Sequence, residues 1–443
     1  MTPQTALRWA ALAGLAAVLA ACGGTASGGA ASAAKLASAT NRASAPGITA
    51  NSISIGSTQP LTGVAAPGYD EIAPASEAYF KYVNAHGGVF GRKIKYTYLD
   101  DGYNPSQTPP LTRQLVLQDN VFAIYSALGT PTHLSVVKYL NAEKVPDLFV
   151  SSGCDCWNEP SAEPWTFGWQ PDYTIEGKIL GQYVKQKLSG QKVGYFYQDD
   201  EFGLDGVKGL DTQIPASSLV SRQDYVTTNT AVGPQIAALQ QAGAQVVVSF
   251  SVPAFTALAL LTAATLNYHP TWVVSNVGSD PPTLAGLLSS FSKGAAGGAL
   301  VAGMISDAYA PLVSDSSNPW IKLFKGIVQQ YAPSLPWDGN VLYGVSQAYT
   351  LVQTLKAAGR NPTRASLVKT LETKKLTGGP GLVPLDYSKK DHLGFQGVEV
   401  VKTGANGSSQ TAVSPIYVTG NTGKITVYKG KATKPPSSGV PSN

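Results

Sequence analysis

From Ser52 onward the sequence alternates short β-branched and aromatic runs with stretches of helical period. That alternation confines the chain to an α/β fold with a mainly parallel sheet, because parallel neighbours need a crossover and a helix supplies it. "ISIG" at 53–56 reads as a strand, and a Gly/Pro-rich loop follows. In "PASEAYFKYVNAHGG", Ala78, Tyr82 and Val83 share one helical face before a Gly87-Gly88 stop. "KIKYTYLDD", "VFAIYSA" and "VPDLFVS" read as further strands, and "LTRQLVLQDN" as a helix with Leu111 and Leu115 stacked. "TPTHLSVVKYLNAEK" reads as one helix, with Thr130 suited to the N-cap and Pro131 to the first helical position.

The pattern then restarts. "EGKILGQYVKQKLSG" carries Ile179, Leu180, Tyr183, Val184 and Leu188 on one stripe, and "KVGYFYQ", "QVVVSFS" and "TWVVSN" alternate with helical segments. Two such series in one chain predict an α/β protein of two doubly wound parallel-sheet lobes. Open parallel sheets bind ligands beyond the carboxyl ends of their strands. The loops "STQPLTG", "SALGT", "VSSGCDC", "QDDEFG" and "FSVPA" are therefore expected to meet at one cleft.

The first 21 residues have the build of a secretory signal peptide: Arg8, then an apolar run from Trp9 to Ala21 that is shorter than the roughly 20 residues a membrane span needs. Leu19-Ala20-Ala21-Cys22 resembles the lipobox of bacterial lipoproteins, which makes Cys22 the expected lipid attachment and the cell membrane the expected anchor. Residues 22–51, rich in Gly, Ala and Ser, read as a flexible tether, and 430–443 as a disordered tail. Net charge is +5 and only 13% of residues are charged, without clustered basic stripes, so no nucleic-acid partner is expected.

"ISIGSTQPLTG", "YVNAHGGVFGRKIKYTYLDD", "VPDLFV", "EPWTFGWQPDY", "YQDDEFGLDG" and "GAQVVVSF" occur in the order and spacing of the leucine/isoleucine/valine-binding proteins, and from about residue 52 to about 427 the chain resembles them. These are the type I extracytoplasmic substrate-binding proteins of ABC importers. The resemblance implies three crossovers, placed near Pro171, Gly278 and Phe395, with 52–171 plus 278–394 as one lobe and 172–277 plus 395–429 as the other. It implies a monomer that closes on a small molecule and hands it to an ABC permease, with no cofactor, no metal and no catalysis. A sensor subunit is the alternative within binding proteins, and an extracellular hydrolase the alternative of another class.

Family contacts carried across by position fall on Gly129 and Thr130 in the first binding loop, and on Ser151, Ser152 and Gly153 in the second. Tyr69 takes the place of an aromatic on the apolar side, and Tyr173 and Phe202 begin the second lobe's share, with Trp169 near them. The family's acid for an ammonium falls near Ala254. A buried ammonium without a partner is costly, so these positions imply an organic acid, amide or amino-acid-like guest, held by main-chain donors at the Thr130 helix end and by ring faces.

Cys154 and Cys156 follow the second loop, where a disulfide, inert thiols and a metal site are all open. A ring this small removes little unfolded-state entropy. His86, His133, His269 and His392 are scattered and read as surface or turn residues. Asp199, Asp200 and Glu201 read as solvated carboxylates at the cleft edge. "GVSQA" at 344–348 lies inside a helical pattern, where a nucleophile elbow cannot form.

Overall fold

The computed structural model describes residues 40–442. The expected signal peptide and Cys22 lie outside the described residues.

Five strands build the first sheet: β1 (Ser52–Gln59), β2 (Lys93–Asp100), β3 (Ala123–Tyr125), β4 (Asp147–Val150) and β5 (Thr166–Gly168). Their order is β2-β1-β3-β4-β5 and every pairing is parallel. β4 is buried along its whole length, as a strand covered on both faces must be. Helix Ile72–Ala85 presents Ile72, Ala75 and Tyr79 to helix Gly339–Ala357. Gly344 makes their close approach possible, since a Cβ there would stand 2.3 Å from the Ile72 carbonyl, and the Ser76 hydroxyl donates to the Gly344 carbonyl at 2.8 Å.

The second sheet has a parallel body, in the order β7-β6-β8-β9-β10, made by β6 (Val193–Gln198), β7 (Leu219–Tyr225), β8 (Val246–Phe250), β9 (Thr271–Val274) and β10 (Ile305–Ala308). An antiparallel edge that the sequence pattern did not predict extends it: β11 (Gly397–Thr403) pairs with β10, β12 (Gln410–Ala412) and β13 (Tyr417–Val418), and β13 pairs with β14 (Thr426–Val427).

The structure moves one expected boundary. Gly278 is not a crossover, because the chain continues through helix Pro281–Phe291 and β10, which pairs with β9, before it leaves the second lobe near Tyr309. It reaches the first lobe again in helix Pro319–Tyr331, which packs on helix Ile72–Ala85. Each of the three connecting segments contributes one ring to a common cluster. Trp169 lies 5.1 Å from Phe395 and 5.9 Å from Tyr309, and Tyr309 lies 5.9 Å from Phe395.

Both presumed floppy ends are in part ordered. Residues 41–49 are clasped by Arg92, whose guanidinium donates to the carbonyls of Thr49, Arg42 and Arg360 and to the side-chain oxygens of Asn41 and Asn361. The expected disordered tail instead runs over the first lobe. Tyr79 donates to the Gly439 carbonyl at 2.9 Å, Tyr82 to Ser438 at 2.7 Å and Lys356 to Pro441 at 2.7 Å, while Val440 is buried. Satisfied carbonyls and one buried valine offset the ordering entropy that the Pro/Ser-rich composition had suggested would win.

Candidate functional site

A cavity of about 160 Å³ lies between the two sheets. The carboxyl-end loops supply its walls: Leu128, Gly129 and Thr130 after β3, Ser151 after β4, and Val252 after β8. The "STQPLTG" loop contributes none of the lining residues, and Tyr69 and Ile72 beyond it stand there instead. Tyr69, Tyr103 and Tyr343 of the first lobe face Tyr173 and Phe202 of the second, with Trp169 and Tyr309 at the crossovers. Tyr173 and Phe202 form a pair with ring centroids 4.6 Å apart.

Gly129 has φ of 108°, and a Cβ there would meet the Thr132 hydroxyl at 2.4 Å, so glycine is required for the turn into the next helix. That helix does not run to Lys144 as predicted. It is broken into Thr130–Leu134 and Val137–Ala142, and a single five-residue turn sums too few peptide dipoles to act as an anion site.

Ser152 and Gly153 stand behind the wall instead of lining it. The Ser152 hydroxyl is bonded to Thr130 Oγ1 at 2.7 Å, and Tyr173 donates its N–H to the Gly153 carbonyl at 2.6 Å. Gly153 sits so close to the crossover that a Cβ would lie 2.2 Å from the Pro171 carbonyl. The two residues hold Thr130 and Tyr173 in place. Ser151 lines the cavity, and its hydroxyl is engaged with Ser126 at 2.9 Å and with Gln347 Oε1 at 3.2 Å.

The acidic side of the cleft was missed. Ala254 is buried in the first turn of its helix and takes no part, whereas Asp280 and Asp307 line the cavity with Asn276. The Asn276 N–H donates to Glu176 Oε1 at 2.8 Å and to Asp307 Oδ1 at 3.1 Å. Burial pushes Asp307 up to about 6. Burial first, then the charge of Asp307, drives Glu176 well above the usual carboxylate range. Asp280 is likewise raised to about 6, by burial and then by Asp338, and Glu71 to about 9, by burial and its hydrogen bond with Asp338. None of these five carboxylates has a Lys, Arg or His ion-pair partner among the described residues. An organic acid would find no lysine, arginine or histidine among the lining residues and would meet two carboxylates, which weighs against the anionic guest expected from sequence. The signal was available: Asn276 follows β9 and Asp307 stands at the carboxyl end of β10, where the strand-end rule that gave the "QDDEFG" loop also applies.

The remaining candidates resolve simply. Cys154 and Cys156 form a disulfide with Cα atoms 5.1 Å apart. Between them, Asp155 reaches across to the second lobe, accepting from Lys208 and donating its N–H to Asp205 at 2.9 Å. Asp200 is a helix cap, accepting from the Phe202 N–H at 3.0 Å. Two histidines expected at the surface are buried: His133 bonds Asp147 at 2.7 Å beside Trp157, and His392 stacks on Phe167 at 3.8 Å. No histidine lines the cavity among the described residues.

Two sheet-bearing lobes, three connections and a ligand-sized cavity at the strand ends define a two-lobed solute-binding protein. Residues 52–408 match the model of the periplasmic binding protein family, and the chain belongs to that family, which is extracytoplasmic. It is 27% identical over 234 residues to Leu/Ile/Val-binding protein homolog 7 of Brucella suis biovar 1, covering 50% of this chain and 58% of that one, so the match spans a little over half of that relative's length. Its fold superposes on a branched chain amino acid ABC transporter from Thermus thermophilus with bound valine, at TM-score 0.72 and 18% identity over 84% of this chain and 97% of that one. It also superposes on a fatty acid ABC transporter substrate-binding protein from Thermomonospora curvata, at TM-score 0.73 and 22% identity over 85% and 95%.

Proposed function

We propose that the protein is the solute receptor of an ABC importer of the branched-chain amino acid type, tethered to the membrane through a lipidated Cys22 and acting as a monomer. Its guest is a small molecule enclosed between the lobes, and its partner is a membrane permease that receives the loaded form. The observation that carries this reading is the cavity lined from both lobes by rings and a few polar groups, a composition suited to binding and not to turnover. Closure would swing one lobe against the other about the Trp169, Tyr309 and Phe395 cluster, and the Asp155 contacts with Asp205 and Lys208 would latch it.

Native mass spectrometry of the protein as purified, followed by calorimetry with the molecule it retains, tests the reading. Stoichiometric, reversible capture of one small molecule supports it; chemical conversion of that molecule by the protein alone defeats it. Loss of cellular uptake on deletion of a neighbouring permease gene separates an importer from a sensor.

A further inference from the structure

The cleft carries negative charge that the protein itself does not neutralise. Asp307 is the penultimate residue of β10 and Asp280 caps helix Pro281–Phe291, so both stand at the second lobe's ligand edge, and no lysine, arginine or histidine lines the cleft among the described residues. Behind Asp307, Glu176 is fully buried and its Oε2 has no hydrogen-bond partner. Asp307 is held only by the neutral donors of Asn276, and Asp280 only by those of Thr283 and Gly339, so each lacks a counter-charge that a positive guest would supply.

The rings favour the same guest. An aromatic face is the negative end of its quadrupole and attracts a desolvated cation, and rings from both lobes and both neighbouring crossovers face this cavity. The hydroxyls that a guest carboxylate would need are already engaged, Ser151 with Ser126 and Gln347, and Thr130 with Ser152.

We propose that the guest is an organic cation without a carboxylate of its own: an amine-type centre seated against Asp307 and Asp280, its apolar body between Tyr69 and the Tyr173–Phe202 pair. The proposal rests on the binding-protein reading and names the charge class that reading leaves open.

The test is calorimetry of the full chain against two shape-matched series: isoamylamine, leucine, isocaproate and isocaproamide, then phenethylamine, phenylalanine, hydrocinnamate and hydrocinnamamide. In at least one series the amine is expected to bind at least tenfold more tightly than its zwitterionic, anionic and neutral counterparts. Asp307→Asn and Asp280→Asn are each expected to cut amine affinity at least tenfold while amide affinity moves less than threefold; retained amide binding and an unchanged circular dichroism spectrum show that the variant folds. Tighter binding of the acid, the amino acid or the amide overturns the charge assignment and leaves the binding-protein reading intact. A neutral or anionic molecule retained from the cell does the same, whereas failure to bind any member of either series or to retain any molecule defeats both.

Discussion

Phe395 donates its backbone N–H to the Trp169 carbonyl at 2.9 Å while the two rings pack 5.1 Å apart, so the first and third connections between the lobes are joined by main chain and side chain together. Gly394 permits this, since a Cβ there would lie 2.1 Å from the same carbonyl. The lobes are therefore not linked by three independent strings.

Phe395 is fully buried against two rings. Phe395→Ala is expected to lower unfolding free energy by about 3–5 kcal/mol, measured by denaturant titration. It is also expected to broaden the distribution of lobe-to-lobe distances seen by spin labels on either side of the cleft; an unchanged distribution would mean that the cluster does not set the hinge.

Gly344 lies where helices Ile72–Ala85 and Gly339–Ala357 cross. Gly344→Val must push them apart, and the cost is expected to be on the order of 1–3 kcal/mol or more. A substitution that left thermal unfolding unmoved would contradict the packing described.

The Asp155–Lys208 pair joins the two lobes, with Lys208 about three-fifths exposed. Such pairs contribute little to stability. Lys208→Met is expected to leave the unfolding midpoint within a degree or two while weakening guest affinity a few-fold through a faster off-rate, readable by surface plasmon resonance. Reduction of the disulfide that flanks Asp155 is expected to behave alike, since a ring closed over so few residues barely restricts the unfolded chain.

The buried acids invert the usual acid response. Asp280 and Asp307 hold their protons in the native state up to about 6, against an ordinary aspartate value of 3.8. Between those values the native state binds more protons than the unfolded chain, so these groups favour folding at low pH and that contribution is lost as pH rises through about 6. Glu71, raised to about 9, extends the loss upward. In the absence of guest, the thermal midpoint is expected to fall between pH 4 and pH 8 in part through these groups, and Asp307→Asn should flatten the slope. An unaltered slope in the variant would show that Asp307 titrates normally.

Much of the fold was legible because short β-branched runs such as "QVVVSFS" favour buried strands over helices, and because the cycle of strand and helix repeats. The pattern cannot say which sheet a strand joins. β10 was assigned to the wrong lobe for that reason, since the turn at Asn276–Gly278 has the composition of a crossover. In the site, Tyr69, Gly129, Thr130, Ser151, Tyr173 and Phe202 were found at the cavity. Asp280 and Asp307 were not, because only the pairing of β10 with β9 brings their segment to the second lobe's strand ends. The buried positions of His133 and His392 were illegible for a different reason: an Asp147 fourteen residues on and a Phe167 far upstream become neighbours only through the sheet.

The strap of residues 438–441 and the Arg92 clasp on residues 41–49 fasten to one and the same lobe. In the closure proposed above, the other lobe would swing against the one that holds both of these segments. A fluorophore attached within residues 41–49 or 438–441 would stay with the first lobe, whereas a label on the exposed Leu204, beside the Asp200 cap, would report the second lobe's movement against it.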